Sequence, residues 1–373
     1  MKSQLDSINS GVESDALPIA RTIEPVFLLG GFSPDRAEAS FLRGFDAIGV
    51  RTCTFEVGDL KSHLDGIVRT RLGHRVTMGS LAVRRMGSRK YNRALKEAVL
   101  QSGAKSLLVL KGEFVMPETL RDLRRRAIRV ALFYPDNPFP PHSSQRPETL
   151  PAARETDLYL IWSEKLVEKL KNAGVKNPAF LPFAWDPLVF PHMSDQPQGA
   201  WPGALFLGGW DKEREQFLER LAALVELRIF GPKEWGARTR PLSRVRSCWQ
   251  GSDLRMKNAA RVVRESAVCI NLLRKQHFVD GIPDGLIMRH FEVPGAGGFL
   301  LSTRGGGATE VFPEGETGEY FADVKECAEK VRFYTSHPEK RAELITRAHA
   351  AVEHSHQYSD RARRIIELLA ECR

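Results

Sequence analysis

Short apolar runs bounded by glycine, proline or charged clusters recur along most of the chain, and amphipathic stretches of helical period fill the gaps between them. Strands that are apolar on both faces belong to parallel sheets covered by helices, so this alternation predicts a β/α protein. PVFLLGG at 25–31 reads as a first strand closing on two glycines and the turn Ser33, Pro34 and Asp35, and AEASFLRGFDAIG behind it is helical in period. VRTCTFEV is a second strand, and RKYNRALKEAVLQSG is a helix with Gly103 as its C-cap. SLLVL at 106–110 is a buried strand, PETLRDLRRRA a helix and IRVALFY the next strand. LYLIW, the helix SEKLVEKLKNAG with Ser163 as N-cap, and a short PAFLPF strand complete the alternating unit.

Residues 184–203 contain four prolines and no sustained period. They read as a linker. ALFLGGWDKEREQFLERLAAL then restarts with strand, glycine pair and helix, and VELRIFGP supplies the next strand and turn. A helix at KNAARVVRESA, the strand VCINLL, a helix over 284–292 and an FLLS strand follow, and the stretch from 324 to 369 is helical and amphipathic. The expected organisation is a loose tail over 1–22, a Rossmann-like lobe over 23–183, the linker over 184–203, a second Rossmann-like lobe over 204–350, and a terminal helix over 351–373 packing back across the lobes. The fold class is α/β, two Rossmann-like lobes with an interdomain cleft. Open parallel sheets bind ligands beyond their strand C-termini, so the loops after these strands are where chemistry is expected.

At 373 residues the chain suits two domains of about 180 residues, each large enough for its own core. Hydrophobic residues at 42% and charged residues at 27% are those of an ordinary globular protein, and no apolar run is long enough to span a bilayer. The N-terminus lacks the basic start and apolar core of a secretory signal. Five dispersed cysteines without metal-ligand spacing suit a reducing compartment, so a cytoplasmic protein is expected, peripheral attachment at a membrane being left open. His354 and His356, two positions apart, do not share a helix face, and a structural role is expected for them.

A net charge of +9 includes a stretch from Arg69 to Arg93 with eight Lys or Arg residues and no Asp or Glu. A solvated basic face is the bland reading; an anionic membrane surface or a phosphate-rich acceptor is the functional one. Nucleic acid is disfavoured as a partner, because aromatic residues for base stacking are almost absent from the stretch.

The most informative segment is DGLIMRHFEVPGAGGFLLS at 284–302, followed by TRGGGATEVF. Asp284 and Glu292, eight residues apart, would lie about two turns apart on one side of a helix, where carboxylates can grip sugar hydroxyls. Gly305, Gly306 and Gly307 allow close backbone approach, and the N–H groups opening the next helix could hold a diphosphate; a mobile surface loop is the alternative. Arg289 could meet a phosphate, or simply pair with Glu292 one turn later. Gly208, Gly209, Lys212 and Arg214 occupy the loop and first helical turn after the lobe's first strand, where a cation can neutralise a departing diphosphate; a tight turn before an exposed charged helix is the other reading, above all for Lys212.

These motifs resemble the C-terminal half of GT-B glycosyltransferases, most closely the spore-maturation, CgeB-like type of the group 1 superfamily. The resemblance rests on the Asp284-x7-Glu292 pair, on Arg289 and Glu292 in MRHFEVPGAGGFLLS, and on KYNRALKEAV, LLVLKG, FYPDNPF and LPFAWDP in the expected order over about residues 25–370. It implies a GT-B architecture and a hexosyltransferase-like, metal-independent enzyme. It further implies a nucleotide diphosphate sugar as co-substrate, no permanently bound cofactor, and a glycan, protein or other molecule as the acceptor. It also implies that Glu292 accepts hydrogen bonds from the ribose and that Gly231, in RIFGPKEW, holds the base through backbone contacts; Trp235 is a candidate for stacking on that base, with a core or surface position the favoured reading. Asp136, with Glu113 and Asp35 behind it, is the candidate general base or acceptor ligand in the first lobe, each lying past a strand end. The other reading of Asp136, and the favoured one, is the start of a turn ahead of Asn-Pro. A sugar-nucleotide epimerase on the same fold, or a non-catalytic protein binding through its basic face, are the alternatives.

Overall fold

The computed structural model describes residues 23–56, 81–112, 114–139, 148–251 and 254–372, and of 81–87 only the helix they form. The chain divides into two compact units, one running to Leu181 and taking in Tyr358 onward, the other spanning Pro182–Gln357. The tail over 1–22, Glu113 and the core of the basic stretch lie outside the described residues.

In the first unit the elements are β1 (Val26–Gly30), α1 (Ala37–Ala47), β2 (Thr52–Glu56), α2 (Leu81–Gln101), β3 (Ser106–Leu110), α3 (Pro117–Arg125), β4 (Arg129–Tyr134), α4 (Thr149–Arg154), β5 (Leu158–Ile161), α5 (Glu164–Asn172) and β6 (Pro178–Phe180). Their strands form one parallel sheet in the order β2-β1-β3-β4-β5-β6. Every residue of β1, β3 and β5 is buried, which is why these strands read as unbroken apolar runs. Ser163 caps α5 as expected, accepting from the Leu166 N–H.

The second unit contains β7 (Trp201–Leu207), α6 (Lys212–Leu221), β8 (Leu227–Phe230), α7 (Glu234–Arg238), α8 (Arg244–Cys248), α9 (Met256–Glu265), β9 (Ser266–Asn271), β10 (Phe278–Val279), β11 (Ile282–Pro283), α10 (Arg289–Gly295), β12 (Leu300–Thr303), α11 (Gly306–Val311), β13 (Glu319–Phe321), α12 (Val324–Ser336) and α13 (Pro338–Ser355). Its parallel sheet runs β13-β12-β9-β7-β8 over a core that includes Phe206, Leu218, Ile229, Val268, Phe299 and Leu301. The β10–β11 hairpin turns at Asp280 and Gly281, both at positive φ, as an Asp-Gly turn favours.

Several expectations change. The proline-rich run over 184–203 is not a free connector: Trp185, Asp186, Val189, Phe190 and Met193 are buried, and β7 already begins at Trp201. Trp185 packs on Gly295, where a Cβ would overlap its indole ring, and donates to the Phe190 carbonyl at 2.7 Å. The run over 324–369 is broken into separate helices, because Pro338 begins α13 and the chain leaves helix again before α14 (Tyr358–Glu371).

That last helix belongs to the first unit. It lies on α1, with Ala362, Ile365, Ile366 and Leu369 buried and the Tyr358 ring edge-on to Phe41 at 4.9 Å. Gly44 permits this close approach, since a Cβ there would fall on the Tyr358 carbonyl. Gly44→Ala should therefore lower stability by about 1–3 kcal/mol, the cost of overpacking, which a denaturant midpoint measures; an unchanged midpoint would show that α14 contributes little to the first unit.

Candidate functional site

In the second unit the loops following β7, β8, β9 and β12 all leave the same end of the sheet, the C-terminal end. After β7 come Gly208 and Gly209, then Asp211, whose carboxylate caps α6 by accepting the Arg214 N–H at 2.8 Å. This cap turns the Arg214 side chain inward. Buried at 8% exposure, its guanidinium donates to the Leu272 carbonyl just past β9 and to the Gly209 carbonyl at 3.1 Å. Burial brings the Arg214 pKa down to about 9, and the charges of Arg274 and Arg289 push the same way against Asp211.

Arg274 approaches from the loop after β9, its Nε 3.4 Å from Asp211 Oδ2. A Cβ on Gly209 would overlap the Arg274 guanidinium, so the glycine is what admits this arginine. Arg289 closes the group: it donates to the Leu207 carbonyl at 3.3 Å, at the end of β7, and pairs with Glu292 one turn along α10. Three guanidinium groups thus gather around the end of β7, with Asp211 and Glu292 as their paired carboxylates and the buried Asp186 acting on Glu292. Glu292 is buried; loss of hydration raises its pKa, opposed by Arg289.

Glu292 does not share a helix with Asp284. Gly285 at φ 86 interrupts the chain, and α10 begins only at Arg289. The buried Asp284 instead accepts the Gly307 N–H at 3.3 Å and so occupies the start of α11. The expectation of two carboxylates on one helical face is corrected accordingly, because residue spacing measures a face only if the intervening backbone is helical. Gly305, Gly306 and Gly307 lie where the loops after β9, β11 and β12 converge; a Cβ on Gly305 would sit 3.4 Å from both Leu273 and Pro283.

Gly231 is buried at the end of β8, and a Cβ there would strike the Gly208 carbonyl. That carbonyl accepts the Trp235 indole N–H at 2.9 Å. Trp235 is fully buried against Phe206, a core residue with no face for a base. Lys212 is exposed at the start of α6, next to Glu213, rather than part of the arginine group.

Arg274 and Asp211 were not singled out from sequence. The signal for Arg274 was a basic run, LLRKQH, directly after a buried strand; that for Asp211 was an acidic N-cap before KERE.

In the first unit, Lys111 and Gly112 follow β3 at positive φ, and the Lys111 ammonium lies 3.4 Å from Asp136 Oδ2 past β4. Asp35 is half-buried in the turn after β1, and Glu38 one turn on has its pKa raised by burial.

Behind α10, a buried polar chain locks the helix to the sheet. The His290 Nδ1 accepts the Ile287 N–H at 3.2 Å, and its Nε2 lies 3.1 Å from Ser302 Oγ, which also accepts from Asn271 Nδ2 at 2.9 Å.

Residues 213–367 match the glycosyl transferase-like family model. No curated protein matches the chain significantly. Among solved structures, it is similar to a sucrose-phosphate synthase from Thermosynechococcus elongatus, at 13% identity and TM-score 0.62 over 92% of this chain and 97% of that one. A glycosyltransferase from Rickettsia africae is 11% identical with TM-score 0.62, covering 93% of this chain and 98% of its own. Anabaena HepE in complex with UDP-glucose is 13% identical with TM-score 0.57, covering 96% of each chain. At these identities the likeness is one of fold, and that fold is two Rossmann-like domains of the GT-B kind.

Burial brings the His290 pKa down to about 4 from an ordinary value of 6.5, so the folded protein holds the neutral ring. The unfolded chain binds the extra proton between these values, and the stability contributed by His290 is complete above pH 6.5 and lost as pH falls toward 4. The loss amounts to at most about 3 kcal/mol. Thermal midpoints measured from pH 7 to 4 should fall more steeply for the native protein than for His290→Asn; parallel curves would exclude the assignment.

Proposed function

We propose that the protein is a glycosyltransferase that moves a sugar from a nucleotide diphosphate sugar to an acceptor hydroxyl, within the group 1 superfamily and of the spore-maturation type. The observation that carries this reading is the cluster of Arg214, Arg274 and Arg289 at the end of β7, beside Glu292, in the region that matches the family model. A departing nucleoside diphosphate gains negative charge as the bond to the sugar breaks, and preorganised guanidinium groups stabilise that charge without reorganising. Arg274, the most accessible of the three at 35% side-chain exposure, is assigned the diphosphate, with buried Arg214 holding the loop that presents it. Glu292 is assigned the ribose hydroxyls, and the Gly231 backbone the base edge. Because the cations are supplied by side chains, the transfer is read as metal-independent. That the fold neighbour HepE is seen with UDP-glucose supports a nucleotide sugar as ligand. Asp136 leads the acceptor-side candidates in the first unit, with Asp35 and Glu113 behind it.

The test is a thermal-shift titration with UDP, GDP, dTDP and ADP sugars. One nucleotide class should stabilise the protein, Arg274→Ala should weaken it about 10- to 100-fold with the melting temperature of the free protein nearly unchanged, and Glu292→Ala should also weaken it. Arg214→Ala, which strips two carbonyls of their donor, should instead lower the melting temperature itself. Stabilisation by no donor, or full donor affinity in both Arg274→Ala and Glu292→Ala, would sink the reading.

A further inference from the structure

The run over 185–190, which begins inside the motif LPFAWDP, packs on α10 in the second unit and has no part in the donor reading above. α10 needs such support. It is seven residues long, carries Pro294, and has no side-chain hydrogen bond at its N-cap Met288. A helix this short does not hold its own shape in water, so the orientation of Arg289 and Glu292 is set by what packs on it. The run meets both ends of the helix. At the C-terminal end the Trp185 indole fills the space that Gly295 leaves open, and His349 stands edge-on to that indole at 5.6 Å with its Nδ1 3.1 Å from the Pro294 carbonyl. At the N-terminal end the Arg289 guanidinium lies over the Phe190 ring, 5.4 Å from its centroid. Asp186 builds the turn between the two: its carbonyl accepts the N–H groups of Val189 at 3.1 Å and Phe190 at 2.9 Å, and its carboxylate accepts that of Leu188 at 2.9 Å. The Phe190 ring is buried, so it has no room to swing away.

We propose that Phe190 is a positioning residue of the donor site, holding the Arg289 guanidinium in the orientation that meets Glu292 and the Leu207 carbonyl together. The inference rests on the glycosyl-transfer reading above for the word donor; the contact itself does not. Arg289 sits among like charges, since it and Arg274 both act on Arg214. Its side chain is 25% exposed, which leaves it a route toward water. Glu292 alone does not fix it, because an ion pair one helical turn apart is satisfied by more than one rotamer. A ring face attracts the cation and, lying flat beneath a planar guanidinium, limits its rotation. The alignment matters to Glu292 as well. Loss of hydration and the buried Asp186 both favour the protonated Glu292, and Arg289 opposes them. With Arg289 held in place Glu292 stays ionised and accepts at both oxygens, as a grip on ribose hydroxyls requires.

The experiment is a double-mutant cycle on the full chain, read as affinity for UDP-glucose or for the donor selected by the titration above. Phe190→Leu keeps an apolar side chain and removes the ring face, and should weaken donor binding about 3- to 30-fold. In an Arg289→Met background the same change should cost less than about 2-fold, because the ring then has no guanidinium to hold. Phe190→Met replaces Phe190→Leu should that variant not fold. Met193→Ala, which truncates another buried residue of the same segment, should lower the thermal midpoint and leave donor affinity unchanged, so it reads lost packing alone. Additive losses across the cycle, full donor affinity in Phe190→Leu, or an equal loss of affinity in Met193→Ala would each overturn the proposal. A protein that binds no nucleotide sugar would reject glycosyl transfer instead. The cycle is then read in the thermal midpoint of the free protein, where coupling between Phe190 and Arg289 upholds the positioning contact and additive shifts overturn it.

Discussion

Two arginines, Arg214 buried and Arg289 partly exposed, tie together the strand ends of the second unit. Arg214 takes up the carbonyls of Gly209 and Leu272, and Arg289 takes up that of Leu207, so the open ends of β7 and β9 are tied by charge-assisted hydrogen bonds rather than left to solvent. Neither arginine could be buried alone. Asp211 and Glu292 supply the compensating charge, and the carbonyl acceptors satisfy the donors that remain. The interactions that close the sheet end are the same ones that gather three guanidinium groups there.

The glycines around this group are consequences of the same requirement. Gly209 makes room for Arg274, and Gly231 makes room for the Gly208 carbonyl, which in turn receives Trp235. Packing and site therefore share residues. Trp235 lends the loop rigidity from inside the core instead of offering a surface to a ligand. On the other side, the chain from His290 through Ser302 to Asn271 fixes α10, and with it Glu292, against β9 and β12. A neutral, fully hydrogen-bonded histidine at this depth specifies one arrangement of the helix, since any rotation would orphan several buried polar atoms at once.

The first unit has the same parallel architecture with another electrostatic character. Among the described residues its strand ends carry the Lys111–Asp136 pair and Glu38 under the charge of Arg36, where the second unit carries three arginines. One type of sheet thus presents different charged groups at its strand ends, because the loops that follow the strands are free to vary while the strands must stay apolar.

The chain itself determined the alternation of buried strands and amphipathic helices, the restart near residue 204, and the location of candidate residues past strand ends, because apolar runs and glycine turns report local backbone preference directly. It also contained Glu292, Arg289 and Arg214, which the structure brings together, and the motif order behind the resemblance. Only the tertiary structure decided the rest. Gly285 turns the backbone out of helix and sends Asp284 to Gly307, the run over 184–203 folds onto α10 through Trp185, and α14 returns to the first unit. Arg274 joins Asp211 from a loop distant in sequence, and no local pattern separates it from ordinary surface charge. The physical reason is the same in each case: hydrophobic period reads out which residues are buried, whereas the pairing of buried charges depends on which strand ends become neighbours.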